Sequence, residues 1–187
     1  MGKQYGFYIN LDRCVQCHAC EVACKAHNGV ELGIKWRKVI GIWSGRYPDL
    51  TNRTISYACM HCGEPGCVAV CPAGAITKRP EDGIVVVDRA ECIGCGSCAE
   101  SCPFGAPQYG EDGTMQKCDM CVERLARGKQ PVCVETCPGE ALQFGTMEQL
   151  SQLAGANEAQ KLAGPTQPSV LISSSKWSTL KSAMAWK

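Results

Sequence analysis

The sequence lacks the features that mark several common classes of protein. Its 187 residues carry 19 Lys and Arg against 18 Asp and Glu, so the formal charge of +1 gives no indication of binding to nucleic acid or to an anionic membrane surface. No apolar run approaches the roughly 20 residues that a membrane-spanning helix needs. The N-terminus has no basic start followed by an apolar stretch, so we expect no secretory signal peptide in the chain itself.

The sequence is also poor in residues that build an aliphatic core. Hydrophobic residues make up 45% of the chain, but that count includes 16 Cys, and about 36% remains without them. This fraction is small for a folded chain of this length, so something besides aliphatic packing must stabilise the fold. Since we expect synthesis in a reducing cytoplasm, the cysteines are better explained as metal ligands than as disulfide partners.

The sixteen cysteines form four groups of four, with none left over. Two groups have the spacing C-x2-C-x2-C-x3-C, one has C-x2-C-x4-C-x3-C and one has C-x2-C-x11-C-x3-C, and Pro follows the last Cys in three of them. This is the bacterial ferredoxin pattern, in which three closely spaced thiolates bind one [4Fe-4S] cluster and the fourth Cys binds the neighbouring cluster. The spacing therefore predicts four [4Fe-4S] clusters as the cofactors.

The exchange of the fourth Cys also predicts which groups share clusters. A strand-like stretch at residues 83–88 separates the second group from the third, so we expect these two to form one module and the outer groups to pair across the intervening chain. A structure that brings Cys20 and Cys24 to one cluster would contradict this pairing. The predicted ligand sets are Cys14, Cys17, Cys20 and Cys137 for cluster 1; Cys24, Cys118, Cys121 and Cys133 for cluster 2; Cys59, Cys62, Cys67 and Cys102 for cluster 3; and Cys71, Cys92, Cys95 and Cys98 for cluster 4.

Structural zinc is the main alternative, and it applies best to the fourth group. A C-x2-C pair separated by a long linker from two further ligands is typical of zinc sites, and the eleven-residue gap gives this group alone that form. Disulfides are disfavoured because gaps of two residues make poor local bridges. His18, His27 and His61 lie near cysteine groups, but four thiolates per cluster leave no need for a His ligand, so we assign them no metal.

The rest of the sequence predicts an α+β fold of short strands, helices and loops. We expect two pseudo-symmetric bacterial-ferredoxin-like modules, an outer one at residues 1–50 and 111–154 and an inner one at 51–110. The outer module would carry a hairpin insertion at 28–50, and a tail at 155–187 would wrap this protein or a partner. Predicted strands lie at 5–10 and 141–145, and predicted helices at 20–27, 98–102, 119–127, 146–153 and 177–187.

Several segments resemble a known protein family over about residues 4–150. They are the four cysteine groups, the opening QYGFYI at 4–9, the segment CMHCGEPGC at 59–67, the run DGIVVVD at 82–88, the stretch CPFGAPQY at 102–109 and KCDMC at 117–121. The chain is similar in these segments to the four-cluster iron-sulfur subunit of dimethyl sulfoxide reductase-type molybdopterin oxidoreductases. Some relatives, the nitrate reductases, have Trp in place of a thiolate in the third group; here that position is Cys95, so we expect four four-iron clusters.

The resemblance implies an electron-transfer subunit that has no catalytic residues of its own. Its partners would be a large catalytic subunit with a molybdenum or tungsten pterin and a membrane anchor linked to quinones, or another redox partner. By analogy, clusters 1, 2, 3 and 4 would follow one another from the catalytic subunit to the anchor. The complex would be membrane-associated, on the cytoplasmic face or on the periplasmic face after export with a signal-bearing partner.

Two other functions stay open at this point. The chain could be the equivalent subunit of a formate dehydrogenase or hydrogenase, or a free polyferredoxin that diffuses between partners, although the long tail argues against a free carrier. Charged residues close to the ligands would tune the cluster potentials by stabilising the reduced clusters, unless they are merely solvated. The candidates for this tuning are His18, Lys25, Lys78 and Lys117.

Overall fold

The computed structural model describes residues 2–155 and 159–175, which form short strands and helices around a four-stranded sheet. The strands are β1 (Tyr5–Asn10), β2 (Lys38–Ser44), β3 (Thr51–Tyr57), β4 (Ile76–Lys78), β5 (Val85–Val87), β6 (Gln108–Tyr109), β7 (Met115–Gln116), β8 (Leu142–Thr146), β9 (Gln160–Lys161) and β10 (Val170–Ser173). The helices are α1 (Ala19–His27), α2 (Gly66–Ala69), α3 (Ser97–Ser101), α4 (Val122–Ala126), α5 (Val132–Glu135) and α6 (Met147–Gly155). This content fits the predicted α+β class.

The main sheet has the order β8-β1-β10-β9, and its two central strands, β1 and β10, are largely buried. β1 pairs antiparallel with β8 and parallel with β10, with Phe7 opposite both Phe144 and Val170. Because side chains alternate along a strand, Phe7 and Ile9 enter the main core while Tyr8 packs under α6 with Leu150. The apolar stretch at residues 5–10 therefore forms the predicted strand, with core on either side.

The tail contributes to this sheet. Val170 and Ile172 enter the main core, and Leu171 joins Tyr8 under α6. Of the two alternatives for the tail, a wrap around this protein or around a partner, residues 159–173 follow the first. The amphipathic helix predicted for residues 177–187 lies outside the described residues.

Three two-stranded hairpins, β2/β3, β4/β5 and β6/β7, complete the strands. The β2/β3 hairpin lies within the cysteine-free stretch between the first two groups and sends Ile42 and Ile55 into the core. The β6/β7 hairpin spans the module boundary predicted at residue 110, since Tyr109 pairs with Met115 across that point. A two-residue strand carries too little hydrophobic pattern for sequence reasoning to find it.

The helices bring the cysteine groups together in pairs. α1, which carries the end of the first group, packs against α5 of the fourth group, and α2 of the second group packs against α3 of the third. The helix expected at 119–127 begins only at Val122, because Met120 and Cys121 have φ angles of 59° and 54° and cannot be helical. Within the described ranges, no helix is both long enough and apolar enough to cross a bilayer.

Candidate iron-sulfur sites

All four cysteine groups share one backbone feature. The residue directly before the second Cys has a positive φ in each of them, a conformation that only Gly adopts without cost. Successive backbone N–H groups in such a turn point into one concavity, an arrangement found at anion and iron-sulfur sites. The residues are Gln16, His61, Gly94 and Met120, with φ angles of 56°, 41°, 67° and 59°. Three of these residues are not Gly and still have a positive φ. The four groups therefore share a backbone conformation and not a particular side chain.

The first site joins the first group to the last Cys of the fourth group. Cys14, Cys17, Cys20 and Cys137 line one cavity at the end of β1, and Cys24 is not among its lining residues. The backbone N–H of Ala141 donates to Cys137 Sγ at 3.3 Å. Cys20 is buried but Cys17 is exposed, so this site opens to the surface at one corner.

The second site is the most enclosed of the four. Cys24, Cys118, Cys121 and Cys133 are all buried where α1 meets α5. Burial is the main cause that raises the pKa of Cys24 to about 12 and that of Cys121 to about 11, and the nearby charge of Cys133 raises both further. Neutral thiols are therefore expected at pH 7 until a metal displaces their protons.

The third predicted set combines the first three cysteines of the second group with the last one of the third, and its thiols are close enough to affect one another. Burial, followed by repulsion from Cys59 and Cys102, raises the pKa of Cys67 to about 12. Burial also raises the pKa of Cys62 to about 11, repulsion from Cys59 and Cys102 adds to this effect, and the neighbouring Thr166 works against it. Thr166 belongs to the tail, which therefore reaches the third site as well as the sheet.

The fourth site has the same form as the first. Cys71, Cys92, Cys95 and Cys98 line one cavity together with Tyr109 and Met115. Tyr109 Oη lies 3.1 Å from Cys98 Sγ, and the backbone N–H of Met115 donates to Cys92 Sγ at 3.3 Å. Both of these partners belong to the small β6/β7 hairpin, so this hairpin packs against the fourth site.

The geometry also bears on the zinc alternative for the fourth group. Cys137 lines the first cavity, whereas Cys118, Cys121 and Cys133 interact with Cys24. The four cysteines of that group therefore do not meet at one point. In residues 2–155 and 159–175, no three His, Cys, Asp or Glu side chains converge closely enough for a single metal ion. Thiolates around one zinc ion lie only about 3.8 Å apart, closer than thiolates that bind different corners of a cluster.

The candidate tuning residues have different surroundings. Lys117 is buried beside Cys118, and its Nζ donates to the backbone carbonyls of Val85 and Cys118. Lys78 Nζ donates to the carbonyl of Gly63 at 2.6 Å, and Lys25 Nζ to that of Ile34 at 2.8 Å. Lys117 alone among these three is a fully buried cation.

His61 keeps a neutral ring inside the protein. It is completely buried, and its Nδ1 accepts a hydrogen bond from the backbone N–H of Val85 at 3.0 Å. Burial first, and then the charges of Lys117 and Arg37, hold the pKa of His61 well below its ordinary value. A neutral imidazole whose Nδ1 accepts from the backbone carries its proton on Nε2, which is buried and has no partner among the described protein atoms.

Sequence reasoning missed three polar residues that contact the sites. Arg37 is fully buried and close enough to cysteines of the first two sets for their charges to act on it, Ser56 Oγ lies 3.1 Å from Cys20 Sγ, and Tyr109 Oη lies 3.1 Å from Cys98 Sγ. Arg37 stands in the sequence WRKVI, where nothing separates it from the neighbouring Lys38, which is not buried. Arg37 directly precedes β2, and its contacts with Phe7 and Ser56, both distant in sequence, hold it inside.

The donor chemistry fits four [4Fe-4S] clusters. Each site offers four thiols and an inward-facing loop, and the first, second and fourth also have N–H or O–H donors near sulfur. An arrangement for acid–base or nucleophilic catalysis needs a different set of groups. When bound, such a cluster supplies reversible one-electron transfer. The chain's own groups set the charge, hydrogen bonding and solvent exposure that fix its potential.

Comparison with known proteins agrees with this chemistry. A family model described as a 4Fe-4S dicluster domain matches residues 51–147, and a 4Fe-4S binding domain matches residues 11–27, so the matched stretches contain all sixteen cysteines. The sequence is 44% identical to YnfG, a probable anaerobic dimethyl sulfoxide reductase subunit of Escherichia coli (strain K12), over 92% of this protein and 89% of that one.

Two further relatives show the range of these similarities. The B subunit of anaerobic dimethyl sulfoxide reductase from the same organism is 43% identical over 83% of this protein and 80% of its own length. The formate dehydrogenase iron-sulfur subunit of Wolinella succinogenes is 37% identical over 78% of this protein and 82% of its own length.

Proposed function

This protein belongs to the family of iron-sulfur subunits of dimethyl sulfoxide reductase-type complexes, and from this premise we propose that it relays single electrons between a catalytic subunit and a second redox partner. Its sixteen cysteines suffice for four [4Fe-4S] clusters. The chain itself would catalyse no substrate reaction. Its relatives are named as chains of dimethyl sulfoxide reductase, formate dehydrogenase and sulfite dehydrogenase, which are all oxidoreductases.

We assign the clusters to the four sets predicted from the spacing. Support comes from the two cavities that contain the first and fourth sets complete, and from the mutual electrostatic effects among the thiols of the second and third sets. The packing of α1 on α5 and of α2 on α3 supports two ferredoxin-like modules related by pseudo-symmetry, with the β2/β3 hairpin as an insertion in the outer one.

The observation that carries the proposal is the distribution of exposed thiols. Of the sixteen cysteines, all within the described ranges, only Cys17 of the first set and Cys95 of the fourth are exposed. Each lies two residues after an exposed apolar side chain, Val15 at 68% and Ile93 at 68%. Two sites that open to the surface, joined by two enclosed ones, suit a path whose ends meet different partners.

We infer the partners of this protein from its family, because the exposed surfaces alone do not identify them. We propose that the first set faces a large molybdenum- or tungsten-pterin catalytic subunit and that the fourth faces a quinone-linked membrane anchor or another redox partner. The complex would then be membrane-associated. A relative is named as a sulfite dehydrogenase subunit and another as a formate dehydrogenase subunit, so related chains serve different substrates and this chain does not fix the substrate.

Purification of the protein under anaerobic conditions tests this proposal. We expect the affinity-tagged protein to be brown and to co-elute with a large pterin-containing subunit, and we expect a colourless protein if it holds only zinc. A monomer that exchanges electrons with many unrelated partners would identify a free polyferredoxin and contradict the proposal.

A ligand variant tests the order of the sites. Cys98→Ser removes a ligand of the fourth set, so electrons from quinol should no longer reach the catalytic subunit, while an artificial donor that reduces the first set still drives substrate reduction. Cys20→Ser, the matched variant in the first set, should block both routes. Loss of both activities, or of neither, in Cys98→Ser would contradict the order.

A further inference from the structure

Arg37 is a buried cation without a carboxylate partner. Its relative exposure is 1%, and in the part of the chain that the structure describes no Asp or Glu forms an ion pair with it. Moving an unpaired charge of this kind out of water carries a penalty of several kcal/mol, which must be offset by other interactions. The groups that offset this penalty are therefore the ones that surround the guanidinium of Arg37.

The hydrogen bonds of Arg37 satisfy only one of its three nitrogens. Nη1 donates to the backbone carbonyl of Ser56 at 3.2 Å and to Ser56 Oγ at 3.3 Å, while the guanidinium lies 4.7 Å above the ring of Phe7. Nε and Nη2 are buried and have no partner among the described protein atoms. Two donors of a permanently charged group are thus aimed into the interior with nothing from the protein to receive them.

The groups near Arg37 that can carry negative charge are cysteines of two different sets. Burial by itself would lower the pKa of Arg37, but negative charge on four neighbouring cysteines, present once their thiols are ionised, outweighs burial and holds its pKa above the ordinary value. Three of them, Cys133, Cys118 and Cys24, belong to the second set, and Cys20 belongs to the first. Ser56 Oγ, which accepts from Arg37, also lies 3.1 Å from Cys20 Sγ and so links the guanidinium to the first site.

We propose that Arg37 is a positioning residue shared by the first two cluster sites, where its charge favours reduction at both and its free Nε and Nη2 donate to sulfur. This inference rests on the proposed function, because it takes the two sets as cluster ligands. Reduction adds a negative charge to a site, and a buried positive charge beside it stabilises that reduced state with little screening from salt.

The expected size of the effect follows from Coulomb's law. At an effective protein dielectric constant of about 20, a unit charge changes a one-electron equilibrium by about tenfold at roughly 12 Å and by more at shorter distances. Ser56 Oγ lies 3.3 Å from Arg37 Nη1 and 3.1 Å from Cys20 Sγ, so the guanidinium is well inside that range of the first site. Its electrostatic interaction with Cys133, Cys118 and Cys24 places it near the second. Lys would supply the charge but not the planar set of donors that spans two sites.

The test is a potentiometric titration of the purified complex, followed by electron paramagnetic resonance of its four one-electron components. In Arg37→Gln, we expect the reduction equilibrium constants of two components to fall at least tenfold, which is about 59 mV for a one-electron couple, with the other two unchanged. The control is Arg127→Gln, which removes the same charge from an exposed position after α4 and should leave all four components unchanged.

Each result decides the matter. An Arg37→Gln complex with full iron content that titrates like wild type, or in which all four components shift alike, would overturn the inference. If Arg37→Gln retains no iron, the Arg37→Lys variant is titrated instead. Iron content and two potentials near those of wild type would support the role of the charge. An Arg37→Lys complex without iron would show that the shape of the side chain matters and not its charge, which overturns the inference. Absence of four components in the wild-type complex would overturn the proposed function instead.

Discussion

The glycines on either side of Cys95 allow the loop geometry to be tested with a matched pair of variants. Gly94 and Gly96 have φ angles of 67° and 84°, so Ala at either position adopts an unfavourable backbone conformation that costs about 1–2 kcal/mol. The two positions differ in the space around them. A Cβ at Gly94 would lie 2.6 Å from the carbonyl oxygen of Gly113, whereas a Cβ at Gly96 meets nothing within 4 Å.

The contact with Gly113 is with backbone and cannot be relieved by rotating a side chain. Overpacking of this kind costs about 1–3 kcal/mol more, so Gly94→Ala should destabilise the closed loop by that amount relative to Gly96→Ala. Since every 1.4 kcal/mol is a factor of ten, the open form of the loop should be roughly 5- to 150-fold more populated in Gly94→Ala.

Capture of iron by a chelator measures this opening. In the purified complex we expect Gly94→Ala to release about four iron atoms per chain, those of the fourth site, roughly 5- to 150-fold faster than Gly96→Ala, with the remaining iron retained in both. Equal release rates, or faster release from Gly96→Ala, would refute the argument that this loop must approach Gly113 closely.

Three other predictions concern the core, the charge on α1 and the two ends of the path. Phe7→Ala removes a ring that is 2% exposed and should lower the free energy of unfolding by about 3–5 kcal/mol, seen as a lower thermal unfolding temperature of the complex. Glu21 accepts a hydrogen bond from the backbone N–H of Val39 and forms an ion pair with Lys35. Burial works to raise the pKa of Glu21, but these two interactions outweigh burial and hold the pKa below its ordinary 4.5. Glu21→Gln should therefore reduce stability equally between pH 7 and 5, and the gap should close as the pH falls through that lowered pKa; a gap that widens in acid would contradict it. Val15→Glu and Ile93→Glu should each release a different partner on purification, and release of the same partner by both would argue against two separate ends.

The grouping of the cysteines and the central strand are the parts of this protein that its sequence predicts best. Ferredoxin spacing is a local pattern, and in the structure Cys20 lines the first cavity whereas Cys24 does not. The strand at residues 5–10 is predicted because aromatic and β-branched residues dominate it up to Ile9 and polar residues begin at Asn10.

Other features depend on contacts distant in sequence. The parallel pairing of β1 with β10 joins Phe7 to Val170, and nothing local to either strand specifies it. The inward turn of Arg37 depends on its packing against Phe7 and Ser56. The late start of α4 follows from the strained backbone at Met120, where an ordinary helix-forming residue gives no signal of a positive φ.

Low aliphatic content also has a physical explanation. Four clusters would fill and cross-link the interior between the modules, and metal binding would contribute directly to the free energy of folding. An iron-free chain should accordingly show no cooperative unfolding transition.

Quantitative analysis of metal and sulfide in the purified complex tests the central claim most directly. Four cysteines at each of four sites predict about 16 iron atoms and about 16 acid-labile sulfide ions per chain, with no zinc in this subunit. Stoichiometric zinc, or iron without acid-labile sulfide, would contradict the account.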